Sequence, residues 1–116
     1  MTVQERFLEY VKIHTTSDEA SQTSPSAARE LDLSRLLVRQ LKEIGLQDAF
    51  LSDTGYVYAH LEATPGCEDA PALGFVAHVD TAPCFSGENV QPIVHENYDG
   101  GDIVLPKGNC VIETQA

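Results

Sequence analysis

ALGFVAHVD, residues 72–80, decides how this chain is read. Apolar and small residues run from Leu73 to Ala77 with little alternation. That pattern suits a strand covered on both faces rather than one with a solvated side. Side chains two apart on a strand share a face, roughly 6.6 Å apart along it. His78 and Asp80 are therefore expected to project together, with Val79 turned away. They stand at the carboxyl end of what should be a central strand, where open α/β sheets collect ligands. Neutral imidazole is a good zinc ligand. A carboxylate on the other ring nitrogen can fix its tautomer and orientation, or can reach a metal directly. The plainer alternative is a strand-end histidine bonded to a loop, with Asp80 capping a turn at Thr81.

Working outward, residues 3–13 read as a helix, with Val3, Phe7, Tyr10 and Val11 forming one apolar stripe. Residues 15–26, TTSDEASQTSPS, are a polar loop without periodicity. Ser24 and Pro25 offer a hydroxyl cap followed by proline at a first helical position. The second helix then runs to about Ile44 on a stripe of Leu33, Leu36, Leu37, Leu41 and Ile44, with Gly45 as its terminating glycine. AFLS, 49–52, and YVYAHLEA, 56–63, flank DTG, which suits a hairpin with a three-residue loop. Val57, Ala59 and Leu61 should face one side of it, and Tyr56, Tyr58 and His60 the other. Residues 64–71 are a loop. After Asp80 the pattern weakens into an irregular tail, with one short strand expected at 92–95, room for another within 103–116, and no closing helix.

This order indicates an α/β protein. A parallel sheet needs crossover helices, and nothing helical is expected after residue 45. Residues 1–116 are therefore expected to be the incomplete opening portion of one larger catalytic domain. With a sheet face and edges left uncovered, such a chain should be only marginally stable alone.

The composition narrows the classes of partner. In 116 residues there are 18 acidic and 7 basic side chains, a net charge of -11. That balance argues against nucleic acid or an anionic membrane surface; it fits a merely soluble protein, and it also fits one that holds cations. An apolar fraction of 42% permits a core. The first twenty residues lack an apolar run of signal-peptide length, and no stretch approaches the roughly 20 apolar residues of a membrane span. Cys67, Cys84 and Cys110 are odd in number and form no C-x-x-C pair. Free thiols in a reducing compartment, and so a cytoplasmic location, are the expectation.

Longer stretches carry a resemblance. IGLQDAFLSDTGYVYAHLEAT, PALGFVAHVDTAPCFSGENVQPIVHENYDGGDIVL, the opening ERFLEYVKIHTTSDEAS and LDLSRLLVRQLKEIGL resemble the amino-terminal part of a two-zinc metallopeptidase family. That family also contains aminoacylases and glutamate carboxypeptidase. The pattern HVDT-P-FSG followed by ENY-GGDI is similar to its tripeptide-aminopeptidase branch. The resemblance implies a mixed-sheet zinc-exopeptidase domain that acts on unblocked tripeptides with two zinc ions. It implies that His78 ligates one of them and that Asp80 is the catalytic carboxylate that orients the metal site. The remaining ligands and the general-base glutamate would lie beyond residue 116, since no Asp-Glu-Glu stretch occurs here. Two other readings stay open: an inactive truncated product acting as a binding or pairing module, and a related exopeptidase or deacylase.

Other residues invite weaker readings. His14 ends a helix, where a cation suits the dipole. His60 and His95 sit on a polar face and in the irregular tail. Cys84 reads as a loop thiol, Gly100 and Gly101 as a turn, and Tyr56 and Tyr58 as strand packing.

Overall fold

Helices form here because their backbone groups pair within the segment; strands form only where a neighbour is at hand. The computed structural model describes residues 1–114. Helix α1 spans Val3–Tyr10 and α2 spans Glu30–Glu43. Four two-residue strands follow: β1 Phe50–Leu51, β2 Val57–Tyr58, β3 Ile103–Val104 and β4 Val111–Ile112. They make two separate antiparallel hairpins, β1 with β2 and β3 with β4. The mixture of helix and sheet is the α/β composition expected, but among the described residues no multi-stranded parallel sheet is assembled.

Helix α1 is set by a capping box. The Thr2 hydroxyl accepts from Glu5 N at 3.2 Å, and the Glu5 carboxylate accepts from Thr2 N at 2.6 Å. Its expected apolar stripe is not buried: Val3 and Phe7 face solvent. The contact with α2 is polar instead. The Gln40 carboxamide oxygen accepts from Arg6 Nη1 and from the Tyr10 hydroxyl, and its Nε2 donates to Glu9 at 2.7 Å. Gln40 is 4% exposed, so an unpaired amide there would be costly.

Helix α2 starts later than the Ser24–Pro25 signal suggested. The Ser24 hydroxyl donates to the Thr54 carbonyl, so it is not free to cap. The Glu30 carboxylate takes Ser26 Oγ at 2.6 Å and Ala27 N at 3.0 Å, and one tight turn from Ala27 leads into the helix. The far end is as expected. Leu46 N reaches Leu41 O, Gly45 N reaches Lys42 O, and Gly45 has φ +112°. That is a Schellman ending, in which a left-handed residue lets the last carbonyls be satisfied.

The hairpin β1–β2 pairs Phe50 with Tyr58 and Leu51 with Val57 around the expected Asp53–Gly55 loop. Phe50 and Tyr58 stack with ring centroids 5.3 Å apart. The strands are shorter than 49–52 and 56–63, because beyond Tyr58 the backbone turns to a side chain: His60 N donates to Asp48. Ser34 joins α2 to this hairpin through Gly55 O. The second hairpin replaces the single strand considered for 103–116. The strand expected at 92–95 does not form.

The largest departure is at 72–80. Those residues form no ladder, and Leu73, Phe75 and Val76 are 79%, 91% and 100% exposed. A run that is apolar on both faces needs strands on its edges and cover on both sides, and among the described residues no such elements stand beside it. Every buried residue among those described lies between Thr15 and Ala49; the apolar ones are Leu33, Leu36 and Ala49. The surface is 9540 Å², against about 6,200 Å² for a folded monomer of this mass. The radius of gyration is 18.1 Å, against about 13 Å for a compact chain of this length. The chain has an ordered amino-terminal half and an open carboxy-terminal one.

Two consequences are measurable. At Gly45 an added Cβ meets nothing within 4 Å, so Gly45→Ala should cost only the backbone strain, about 1 kcal/mol. Amide exchange in the last turn of α2 should speed up accordingly; an unchanged rate would contradict the assignment. The Glu5 carboxyl is held below the usual carboxylate range, first by the Thr2 N–H and then by the Thr2 hydroxyl. A lowered folded-state pKa stabilises the cap at pH above the ordinary value and releases it as pH falls through the lowered one. The Thr2 amide resonance should titrate with a midpoint below the ordinary glutamate value of about 4.3, with α1 fraying below it. A midpoint at or above that value would contradict the capping box.

Candidate functional site

His78 and Asp80 do come together, in a segment assigned to no strand. His78 Nδ1 lies 2.8 Å from the Asp80 carbonyl oxygen and 3.1 Å from its carboxylate Oδ1. Neither oxygen has a proton to give, so Nδ1 carries the hydrogen and donates. In the neutral ring that leaves the lone pair on Nε2. The His78 side chain is 84% exposed and that of Asp80 41%. An exposed pair of this kind is worth about 0–1 kcal/mol, so its consequence is orientation rather than stability. The result is an imidazole biased towards the Nδ1–H tautomer, with Nε2 as its free acceptor.

This pair is tied to the helical half by a segment that reads, in sequence, as plain loop. Thr16 and Thr81 form an isolated parallel bridge. Ser17 N donates to Thr81 O at 3.0 Å and Thr81 N donates to Thr15 O at 3.1 Å. Thr15 and Thr16 are buried, and the Arg29 guanidinium donates to the Thr16 and Ser17 carbonyls behind them. The signal was present in sequence as two β-branched residues, Thr15 and Thr16, at the start of a polar loop. Without a visible partner strand it carried no weight. Residues 75–80 also form one wall of an open cleft of about 900 Å³, whose other wall includes Leu37, Leu41, Tyr56 and Tyr58. Both tyrosines thus reach the same cleft as His78, where only strand packing was expected of them.

The other histidines stay apart from the pair. His60 Nδ1 sits 3.5 Å from Glu62, His95 is exposed, and His14 lies beside Gly87. Cys67, Cys84 and Cys110 are free and exposed. No helix among the described residues is long and apolar enough to cross a membrane. A catalytic zinc site takes three protein ligands and a structural one four. Among the described residues no group of three or more His, Cys, Asp or Glu side chains is close enough to hold a metal. These residues therefore do not by themselves fit a zinc ion; what they offer is one oriented donor, His78 Nε2, and its supporting carboxylate.

No family model matches the chain. Individual relatives do. Peptidase T of Clostridium perfringens strain ATCC 13124 is 51% identical over 107 residues, which is 91% of this chain and 26% of that protein. Peptidase T of Desulfitobacterium hafniense strain Y51 is 54% identical over 112 residues, 96% of this chain and 27% of the relative. Peptidase T of Geobacillus kaustophilus is 48% identical over 108 residues, 93% and 26% respectively. The chain spans about a quarter of the length of the curated relatives it matches. About half of its residues are identical to peptidase T sequences along nearly all of its length, so the chain is similar to about a quarter of a peptidase T.

Proposed function

We propose that these residues are the amino-terminal portion of a zinc-dependent peptidase that releases the first residue of tripeptides. The observation that carries this reading is the identity of 48–54% to peptidase T sequences along 91–96% of the chain. In this reading His78 Nε2 is one zinc donor, and Asp80 is the catalytic carboxylate that holds the imidazole in the donating tautomer. The Nδ1 contacts at 2.8 and 3.1 Å support those roles, since a ligating imidazole needs its second nitrogen held. The remaining ligands and the proton-accepting group belong to polypeptide outside these 116 residues. The net charge of -11 favours neither nucleic acid nor an anionic membrane as partner, and the location in this reading is the cytoplasm.

The direct test replaces the matching quarter of the Desulfitobacterium hafniense relative with this chain. The grafted enzyme should hydrolyse tripeptides and prefer them to dipeptides and N-acyl amino acids. His78→Ala should lower zinc occupancy and reduce kcat/KM more than about 100-fold, and Asp80→Asn should cost about 10- to 100-fold. The 116 residues alone should neither turn over tripeptides nor retain stoichiometric zinc. A folded graft without hydrolysis, an active His78→Ala variant, or turnover by the 116 residues alone would each overturn the reading.

A further inference from the structure

One buried hydroxyl, Thr16 Oγ1, bonds both ends of the loop that follows Asp80, beside the Thr15 and Ser17 bonds to Thr81. It accepts a hydrogen bond from Gly87 N at 2.9 Å and lies 3.2 Å from Thr81 Oγ1. It thus bonds both ends of the seven-residue stretch Thr81–Gly87, at a distance of 65 and 71 residues in sequence. Thr16 is 7% exposed. Its own carbonyl is fixed by Arg29 Nε, so neither its backbone nor its hydroxyl has slack. Gly87 is fitted to the same point. A Cβ there would stand 2.8 Å from Thr16 Oγ1 and 3.0 Å from Thr81 Oγ1, closer than side-chain atoms sit without displacement.

Every hydrogen bond that joins residues 1–63 to residues 64–114 has one end in Thr15–Ser17 and the other at Thr81 or Gly87. Thr81 is covalently next to Asp80, whose carbonyl and carboxylate hold His78 Nδ1. No other described polar contact fixes the direction in which Asp80 leaves the helical half. Rotation at Thr81 would carry both Asp80 acceptors away from the imidazole.

We infer that Thr16 is a positioning residue: by clasping Thr81 and Gly87 it sets the Asp80 backbone so that His78 is held as its Nδ1–H tautomer with Nε2 presented outward. Thr16 touches neither His78 nor any reacting atom, and it acts through Thr81 and Asp80. The arrangement deepens the peptidase reading, on which only the kinetic arm of its test rests.

The test compares Thr16→Val, which keeps the branched shape and removes the hydroxyl, with Thr16→Ser, which keeps the hydroxyl. Ring ¹⁵N resonances of His78 are read in the 116-residue chain at about pH 8.5, above the ordinary imidazole value of about 6.5. The unsubstituted chain and Thr16→Ser should show the Nδ1–H form in excess. Thr16→Val should shift His78 to the mixture of tautomers seen for a free imidazole. Gly87→Ala attacks the clasp from its other side and should shift His78 in the same direction, which guards against Thr16→Val failing to fold. In the grafted enzyme Thr16→Val should lower kcat/KM about 10-fold with Thr16→Ser within about 3-fold of the parent, the scale expected for a group supporting a ligating histidine. A His78 tautomer unchanged by both Thr16→Val and Gly87→Ala, or equal loss in Thr16→Ser and Thr16→Val, would overturn the inference. So would a mixture already present in the unsubstituted chain. An inactive parent graft would sink the peptidase reading while leaving the tautomer result to decide the clasp.

Discussion

Two backbone hydrogen bonds, Ser17 N to Thr81 O and Thr81 N to Thr15 O, carry the organisation of this molecule. They form one rung of parallel pairing between the segment after α1 and the residue after Asp80. Parallel pairing needs a long connection between its strands, and here that connection contains α2 and the first hairpin. The rung is supported from behind by Arg29 and from the side by the Thr16 hydroxyl. Without it, the described residues keep only the side-chain bonds of Thr16 and Ser17 to Thr81 and Gly87 between the helical half and the segment after Asp80.

The energetic division follows from where neighbours exist. Between Thr15 and Ala49 the chain supplies its own: the Gln40 carboxamide is satisfied from α1, Ser34 reaches the hairpin turn, and Leu33, Leu36 and Ala49 are covered. From residue 64 onward almost nothing is covered. Each of Leu73, Phe75 and Val76 would gain roughly 1.5–3 kcal/mol on full burial, and all three are exposed. That unmet demand sits directly before His78. It fits the proposal that further polypeptide both completes the sheet and brings the missing ligands to the imidazole.

What was legible in the sequence divides along the same physical line. The second helix, its Gly45 ending and the Asp53–Gly55 loop are local features, governed by hydrogen bonds within a few residues, and they could be read directly. The start of α2 was misplaced because the Ser24 hydroxyl is taken by Thr54, a contact invisible in the local pattern. The α1 stripe pointed to an apolar contact, whereas Arg6, Glu9 and Tyr10 make a polar one on Gln40. The 72–80 strand was inferred from an apolar run whose partners are not among the described residues. For the site, the residue types His78 and Asp80 suggested a pair on one strand face, about 6.6 Å apart along it; in the structure their side chains do meet, outside any assigned strand. The role of Thr16 was hidden altogether, because a hydroxyl bonding 65 and 71 residues away leaves no periodic trace.

The chain is pinned at Thr81 and open just before it, and amide hydrogen exchange reads both at once. Thr81 and Ser17, whose N–H groups are paired, should show measurable protection, and Leu73 to Ala77 should exchange near the free-peptide rate. In the grafted enzyme the same five amides should become protected as the segment gains neighbours. Protection of residues 73–77 in the 116-residue chain alone, or unprotected amides at Thr81 and Ser17, would contradict that arrangement.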